Sequence, residues 1–265
     1  IDEYYFSKKM REINNYISSG RPIINMAIGN PDLSPSLEVK QALSESIGDQ
    51  RSSMYQSYIG LPELREAISK FYYKQYGVEI NSINEILPLM GSKEGVMHIS
   101  MAFLNEGDGV LIPNPGYPTY AAVSKLLGAE LFYYNLSEEN NWYPKLDDLK
   151  SLNTKNIKLM WMNYPHMPTG ADFDEKKLNK LISWAEKNNI ILINDNPYSF
   201  ILNKKPRSIL SLKSSKKVAL ELNSLSKSFN MAGWRVGMMV GESKYINPVL
   251  KVKSNFDSGM FYSVQ

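Results

Sequence analysis

The amino-acid sequence predicts an α/β fold, a mostly parallel seven-stranded sheet flanked by helices. Three observations carry that prediction. From residue 85 onward, short apolar runs alternate with amphipathic stretches of helical length, the pattern of strands joined by crossover helices. Several of the apolar runs end in polar residues of chemical interest, and open α/β sheets gather ligands at the carboxyl ends of their strands. The chain of 265 residues, 43% apolar and 22% charged, is long enough to bury a core and ordinary for a soluble globular protein.

The elements follow in order. Residues 37–47 and 62–76 read as helices, preceded by an ordered loop from Pro31 to Pro35. Strands are expected at 85–90, 110–113, 131–134, 157–163, 190–194, 218–222 and 236–240. Helices are expected between them at 93–104, 119–127, 146–152 and 174–188. The last is best signed, because Asp174 can cap its first turn and Lys187 sits near its negative end. No internal repeat or low-complexity tract interrupts the pattern.

Composition narrows the function classes. A formal charge of +3 without any block of basic residues argues against a nucleic-acid partner. No apolar run approaches the roughly 20 residues of a membrane span, so no membrane partner is expected. The first six residues lack the layout of a signal peptide, and Ile1 in place of Met reads as a processed chain or a fragment. Zero cysteines exclude disulfide and thiolate chemistry and fit a reducing, cytoplasmic location. Two histidines, His98 and His166, are too few for a His-rich metal site and read as packing residues, so no metal is expected. The sequon Asn135-Leu136-Ser137 reads as chance.

The segment from Asn223 to Gly237 is the most informative. It places Lys227 after the apolar run 218–222, with Ser224 three residues before it and Arg235 eight after. An amine at the end of a buried strand, beside a hydroxyl and a guanidinium, suits a carbonyl cofactor that carries a phosphate. The lysine can form a Schiff base, and Ser224 and Arg235 can hold the phosphate. The structural alternative is one more solvated lysine. The turn Gly91-Ser92-Lys93-Glu94-Gly95 leads from a strand into a helix, so free N–H groups make it either a phosphate seat or a plain helix cap. Neither Gly-x-Gly-x-x-Gly nor a Walker A pattern is present.

Two further strand ends carry chemistry. Pro113, Pro115, Gly116 and Pro118 stiffen a turn that can present Tyr117 as a flat surface for a heteroaromatic ring, or simply pack it into the loop. Asp195 follows the apolar stretch 190–193 and needs a cationic partner there, for which a protonated pyridine nitrogen would serve. Tyr198, three residues on, can donate to a phenolic oxygen of the same ring. The alternative is a turn cap and rim packing.

Taken together, these residues resemble the class I/II aminotransferases, pyridoxal-phosphate enzymes of fold type I. The resemblance runs from about Ile23 to the end. It rests on Ile28-Gly29-Asn30-Pro31-Asp32, Tyr55 with Gly60 to Arg65, Gly91 to Gly95 and Pro115-Gly116-Tyr117-Pro118. It continues through Asn163-Tyr164-Pro165 with Pro168-Thr169-Gly170, Asp195 to Tyr198, and Ser224 to Gly237. The family implies a mixed seven-stranded large domain spanning residues 46–265. Residues 1–45 would belong to the small domain and dimer arm, and the C-terminal small domain would be absent from this chain.

The resemblance also implies roles. Lys227 would hold pyridoxal 5′-phosphate and shuttle a proton, Asp195 would face the pyridinium nitrogen, and Tyr117 would stack on the ring. Tyr198 would bond the phenolic oxygen, while Ser92, the Lys93 backbone, Ser224 and Arg235 would cradle the phosphate. Tyr55 would reach that phosphate from a neighbouring subunit of a homodimer, and Gly29 would leave room for the amino acid. Met167 stands where the family has an asparagine, so Asn163 or His166 would have to replace its bond, or Tyr198 would act alone. The arginine that grips the substrate carboxylate would lie in the family's C-terminal small domain, and no residue of this sequence is assigned to it. The implied activity is amino transfer between an L-amino acid and a 2-oxo acid. Other reactions on the same cofactor, such as C–S lysis, decarboxylation or cyclopropane formation, and a non-catalytic effector module are the alternatives.

Overall fold

The computed structural model describes residues 3–265, so Ile1 and Asp2 of the N-terminal segment lie outside the described residues. Its sheet holds seven strands: β1 (Ile86–Leu89), β2 (Gly109–Asn114), β3 (Glu130–Asn135), β4 (Ile157–Met162), β5 (Ile191–Asp195), β6 (Ala219–Ser224) and β7 (Gly237–Val240). All seven expected strands are present, with ends shifted by a residue or two. The spatial order is β1-β7-β6-β5-β4-β2-β3. β7 runs antiparallel to β1 and β6, and the remaining pairs are parallel. The sheet is therefore mixed, and one consequence positions the site. Because β7 is reversed, the chain enters it at the edge where its neighbours end, and both Leu89 and Ser224 pair with Gly237.

The period-two alternation of the strands separates two cores. Leu220 and Leu222 of β6 face one layer, which contains Val96, Ile99, Tyr120 and Val249. Ala219 of the same strand faces the other, with Tyr72, Leu178, Leu181 and Trp184. Helices supply both covers: α1 (Tyr5–Ser18), α2 (Leu37–Ile47), α3 (Pro62–Tyr76), α4 (Ser92–Phe103), α5 (Pro118–Leu126), α6 (Leu146–Ser151), α7 (Glu175–Asn188), α8 (Leu225–Ser228) and α9 (Ser243–Lys253). α7 is built as its sequence reads. Asp174 Oδ1 accepts from the Lys177 N–H at 3.0 Å, and Leu178, Leu181, Ile182 and Ala185 form its buried stripe. α3 starts with Pro62 in its first turn and ends at Gly77 in the left-handed region.

Three helices were not predicted. α1 buries none of its residues, α8 has four residues, and α9 carries Pro248 in its interior. The domain division expected after residue 45 falls inside α2. Among the described residues, no helix is long and apolar enough to cross a membrane.

Candidate active site

The carboxyl ends of β1, β2, β4, β5 and β6 and the amino end of β7 converge on a cavity of about 500 Å³. Ser92, Lys93, Tyr117, Asn163, Asp195, Tyr198, Ser224, Lys227 and Arg235 all line it, as does Gly29. The one expected site residue it does not include is Tyr55, which is 92% exposed on its own chain.

Lys227 lies in the single turn of α8, directly after β6, and its Nζ donates to the Gly29 carbonyl. Burial lowers its pKa, and the nearby Arg235 guanidinium lowers it further. Both effects enlarge the neutral fraction of the amine. Ser224 caps α8, its Oγ accepting from the Ser226 N–H at 3.1 Å and donating to Ser226 Oγ at 2.9 Å. A Cβ built at Gly29 would meet no atom of the chain within 4 Å, so the backbone there borders open space.

Asp195 ends β5 and is buried. Its Oδ2 accepts from Tyr120 Oη at 2.8 Å, while its Oδ1 is buried with no hydrogen-bond partner among the described residues. Burial pushes the carboxyl up to about 6, against a smaller opposing effect of the Tyr120 hydroxyl. The sequence demands a cation beside this carboxylate, and no Lys, Arg or His among the described residues pairs with it. An outside cation that reached Oδ1 would satisfy it.

The anion-binding corner is built from glycine. At Gly91, φ is +82°, and a Cβ would stand 2.0 Å from Arg235 Nη2. At Gly237, a Cβ would stand 2.6 Å from the Ser92 nitrogen. Only residues without side chains let the α4 N-terminus, with its free N–H groups, approach the Arg235 guanidinium this closely. Arg235 itself has φ +58° and is exposed. Its Nη1 donates to the Ala232 carbonyl at 2.9 Å. Gly91 is the cap residue of α4, and no side chain caps the helix.

Asn163 lines the cavity, yet its amide serves the main chain. Oδ1 accepts from the Met167 N–H at 2.7 Å and Nδ2 donates to the Asp195 carbonyl. Met167 points into the cavity, whereas His166 does not line it. The His166 Nδ1 bonds Thr169 Oγ1 at 2.8 Å, and burial lowers that ring to about 4, so it stays neutral. Burial raises the Tyr117 and Tyr198 hydroxyls. Sequence reading missed Tyr4, Phe6, Tyr120 and Ser226, which also line the cavity. Tyr4 and Phe6 arrive with α1, where Tyr4 Oη donates to Tyr117 Oη at 3.5 Å and Lys93 Nζ lies 4.0 Å from the Tyr4 ring centre. Tyr120 had a signal: it lies one helical turn after Tyr117.

Three features of this site ask for one ligand. The unpartnered buried oxygen wants a cation, the glycine-built corner wants an anion, and the depressed amine wants a carbonyl. Pyridoxal 5′-phosphate carries all three complements on a single ring, and the molecule has the mixed sheet of the fold type I enzymes that bind it. The chain belongs to the class I and II aminotransferases, whose family model matches residues 21–263. It is 40% identical over its whole length to an LL-diaminopimelate aminotransferase of Dehalococcoides mccartyi and 38% identical to one of Aquifex aeolicus, covering 69% of each. It superposes on apo-BacF from Bacillus subtilis with a TM-score of 0.94 at 37% identity, covering all of this chain and 67% of that one. The protein is accordingly a pyridoxal-phosphate-dependent aminotransferase that takes amino-acid and 2-oxo-acid substrates.

Proposed function

We propose that this chain moves the amino group of a diamino dicarboxylic acid, LL-diaminopimelate, to a 2-oxo acid in two half-reactions at the cavity around Lys227. The names of the relatives support the donor, and the convergence of the strand ends on one cavity supports the site. When bound, pyridoxal phosphate supplies a carbonyl that exchanges amines and a ring that withdraws electrons from the substrate α-carbon.

The chain's own residues do the rest. Ser92, the Lys93 N–H, Ser224 and Arg235 would hold the phosphate, with Arg235 offering a fork of donors. Asp195 Oδ1 would keep the ring nitrogen protonated, because a buried carboxylate gains most from a cation at contact. Tyr117 would offer its flat ring to the cofactor and Tyr198 Oη would donate to the phenolic oxygen. Asn163 fixes the Asp195 main chain, so the phenolic oxygen falls chiefly to Tyr198, with Met167 adding an apolar wall. Lys227 Nζ would accept the proton of the substrate α-carbon and hold it for return, work suited to an amine whose pKa is depressed. Gly29 leaves room for the amino acid. The working unit is a homodimer in which Tyr55, exposed and outside the lining of its own cavity, serves the phosphate of the second copy. A cytoplasmic location fits the cysteine-free composition.

The observation that carries the mechanism is the pairing of a depressed lysine with an unpartnered buried carboxylate in one cavity. Its test uses Lys227→Ala. The wild type, loaded with pyridoxal phosphate and reduced with borohydride, should retain the cofactor covalently at position 227 by mass spectrometry. The variant should retain none, and covalent retention in the variant would remove Lys227 from the mechanism. For the donor, LL-diaminopimelate, aspartate, glutamate and an aromatic amino acid are compared with 2-oxoglutarate as acceptor. LL-diaminopimelate should give the highest kcat/KM.

A further inference from the structure

We propose that Tyr120 is a positioning residue for the cofactor: its hydroxyl holds Asp195 Oδ2 so that Oδ1 alone is presented to the ring nitrogen. The proposal rests on the reading that Asp195 faces that nitrogen, and the test below separates the two.

The geometry is specific. Tyr120 is wholly buried in α5, and its Oη donates to Asp195 Oδ2 at 2.8 Å. Its ring lies parallel to that of Trp161, with centroids 4.9 Å apart and planes 5° from parallel, and Trp161 is itself fully buried in β4. The phenol therefore cannot swing away without breaking a stack inside the core. The Asp195 main chain is clamped on its other side by Asn163 Nδ2. A carboxylate held at its carbonyl and at one oxygen has a single free acceptor, and Oδ1 is that atom.

Two consequences follow for chemistry. A hydrogen bond to the ionised carboxylate favours the charged form, so Tyr120 counters part of the burial that drives Asp195 towards neutrality. It also fixes the rotation of the carboxyl group, so that the free oxygen does not trade places with the bonded one. The other ionisable groups on the cavity wall are Tyr4, Lys93, Tyr117, Tyr198, Lys227 and Arg235, and none of them hydrogen-bonds the Asp195 side chain. Among the described residues, Tyr120 is thus the one side chain that hydrogen-bonds the Asp195 carboxyl.

A bland role, filling the core and satisfying a buried hydroxyl, makes a different prediction. Cofactor-free protein is titrated at about pH 8 with pyridoxal 5′-phosphate and with its 1-deaza analogue, which lacks the ring nitrogen but keeps the phosphate and the carbonyl. The wild type should prefer the natural cofactor by about tenfold or more, and Asp195→Ala should lose that preference. Tyr120→Phe, which keeps the ring on Trp161, should lose most of it while binding the analogue as tightly as the wild type does. Tyr134→Phe removes another buried hydroxyl, one that donates to the Trp161 carbonyl at 2.6 Å, and should keep the preference.

Equal binding of the two compounds by wild type and Asp195→Ala would mean that Asp195 does not face the nitrogen. Loss of preference in Asp195→Ala but not in Tyr120→Phe would overturn the role of Tyr120 alone. Equal losses in Tyr120→Phe and Tyr134→Phe would reduce the effect to packing and also overturn it. A second readout needs no cofactor. The carbon-13 titration of the Asp195 carboxyl in the cofactor-free chain should move up by about one unit in Tyr120→Phe. It should move down when 3-fluorotyrosine, a stronger donor of the same shape, is placed at position 120. An unmoved titration in both would refute the proposal.

Discussion

At the scale of single residues, the site is defined by what two glycines lack and what one carboxylate lacks. A methyl group at Gly91 would meet Arg235 Nη2 at 2.0 Å, and the left-handed backbone there is costly for any side chain. Gly91→Ala should therefore displace the guanidinium and weaken pyridoxal phosphate by about tenfold to a hundredfold. Pyridoxal without its phosphate should bind unchanged, and isothermal titration with both compounds checks the contrast. Sequence reading found nine of the cavity-lining side chains because each lies near the end of an apolar run, where a polar side chain has little structural reason to be. It missed Tyr120 because a tyrosine in a Pro-rich turn looks the same whether it packs a loop or holds a carboxylate. That distinction depends on Asp195, which is 75 residues away in sequence.

At the scale of elements, α4 and α9 are joined by a buried cluster that the sequence did not announce. Lys253, at 1% side-chain exposure, is paired with Asp257 and lies 3.7 Å from Glu94 Oε1. That Glu94 oxygen also bonds His98 Nε2 at 2.9 Å, and Glu94 Oε2 accepts from the Met90 N–H. Glu94, His98 and Asp257 present their ligand-type atoms within 4.8 Å of one another, with the Lys253 ammonium set between the two carboxylates. Removing the buried ammonium leaves two partly buried carboxylates facing each other, a loss of about 3 kcal/mol or more, up to about 5. Lys253→Met should lower stability by that amount in urea denaturation. It should also loosen the Met90–Ser92 turn, seen as faster amide exchange there. Lys253 was unreadable because a lysine four residues before an aspartate is an ordinary solvated helix pair on most surfaces.

At the scale of the whole molecule, the fold carries buried acids beneath and beside the cofactor cavity. Asp195 sits at about 6 against an ordinary carboxyl value of 3.8, and burial also raises Glu221. Glu221 lies under the sheet, accepting from Tyr72 Oη at 3.0 Å and from the Ile209 N–H at 3.0 Å. A raised acid binds its proton more tightly in the fold than in the unfolded chain. Its contribution is thus fully present below about pH 4 and lost as pH rises through 6. For Asp195 the loss amounts to about 3 kcal/mol. The cofactor-free protein should be less stable at about pH 8 than at about pH 5, and Asp195→Asn should recover most of the Asp195 share. Denaturation midpoints across that range check the sign. Bound cofactor should cancel the penalty, since a ring cation at Oδ1 restores the charged form.

The strands, four of the site-bearing turns and the chemistry at their ends were legible in the sequence. Each is a local matter: an apolar run shows burial, and a polar residue at its end shows that something must meet it there. The tertiary structure alone decided that β7 runs backwards and so brings Arg235 to the same edge as Ser92 and Lys227. It alone brought Tyr4 and Phe6 of the N-terminal segment to the cavity and set Tyr120 against Asp195. These are encounters between residues far apart in the chain, fixed by the packing of whole layers, and no short stretch of sequence holds the information that settles them.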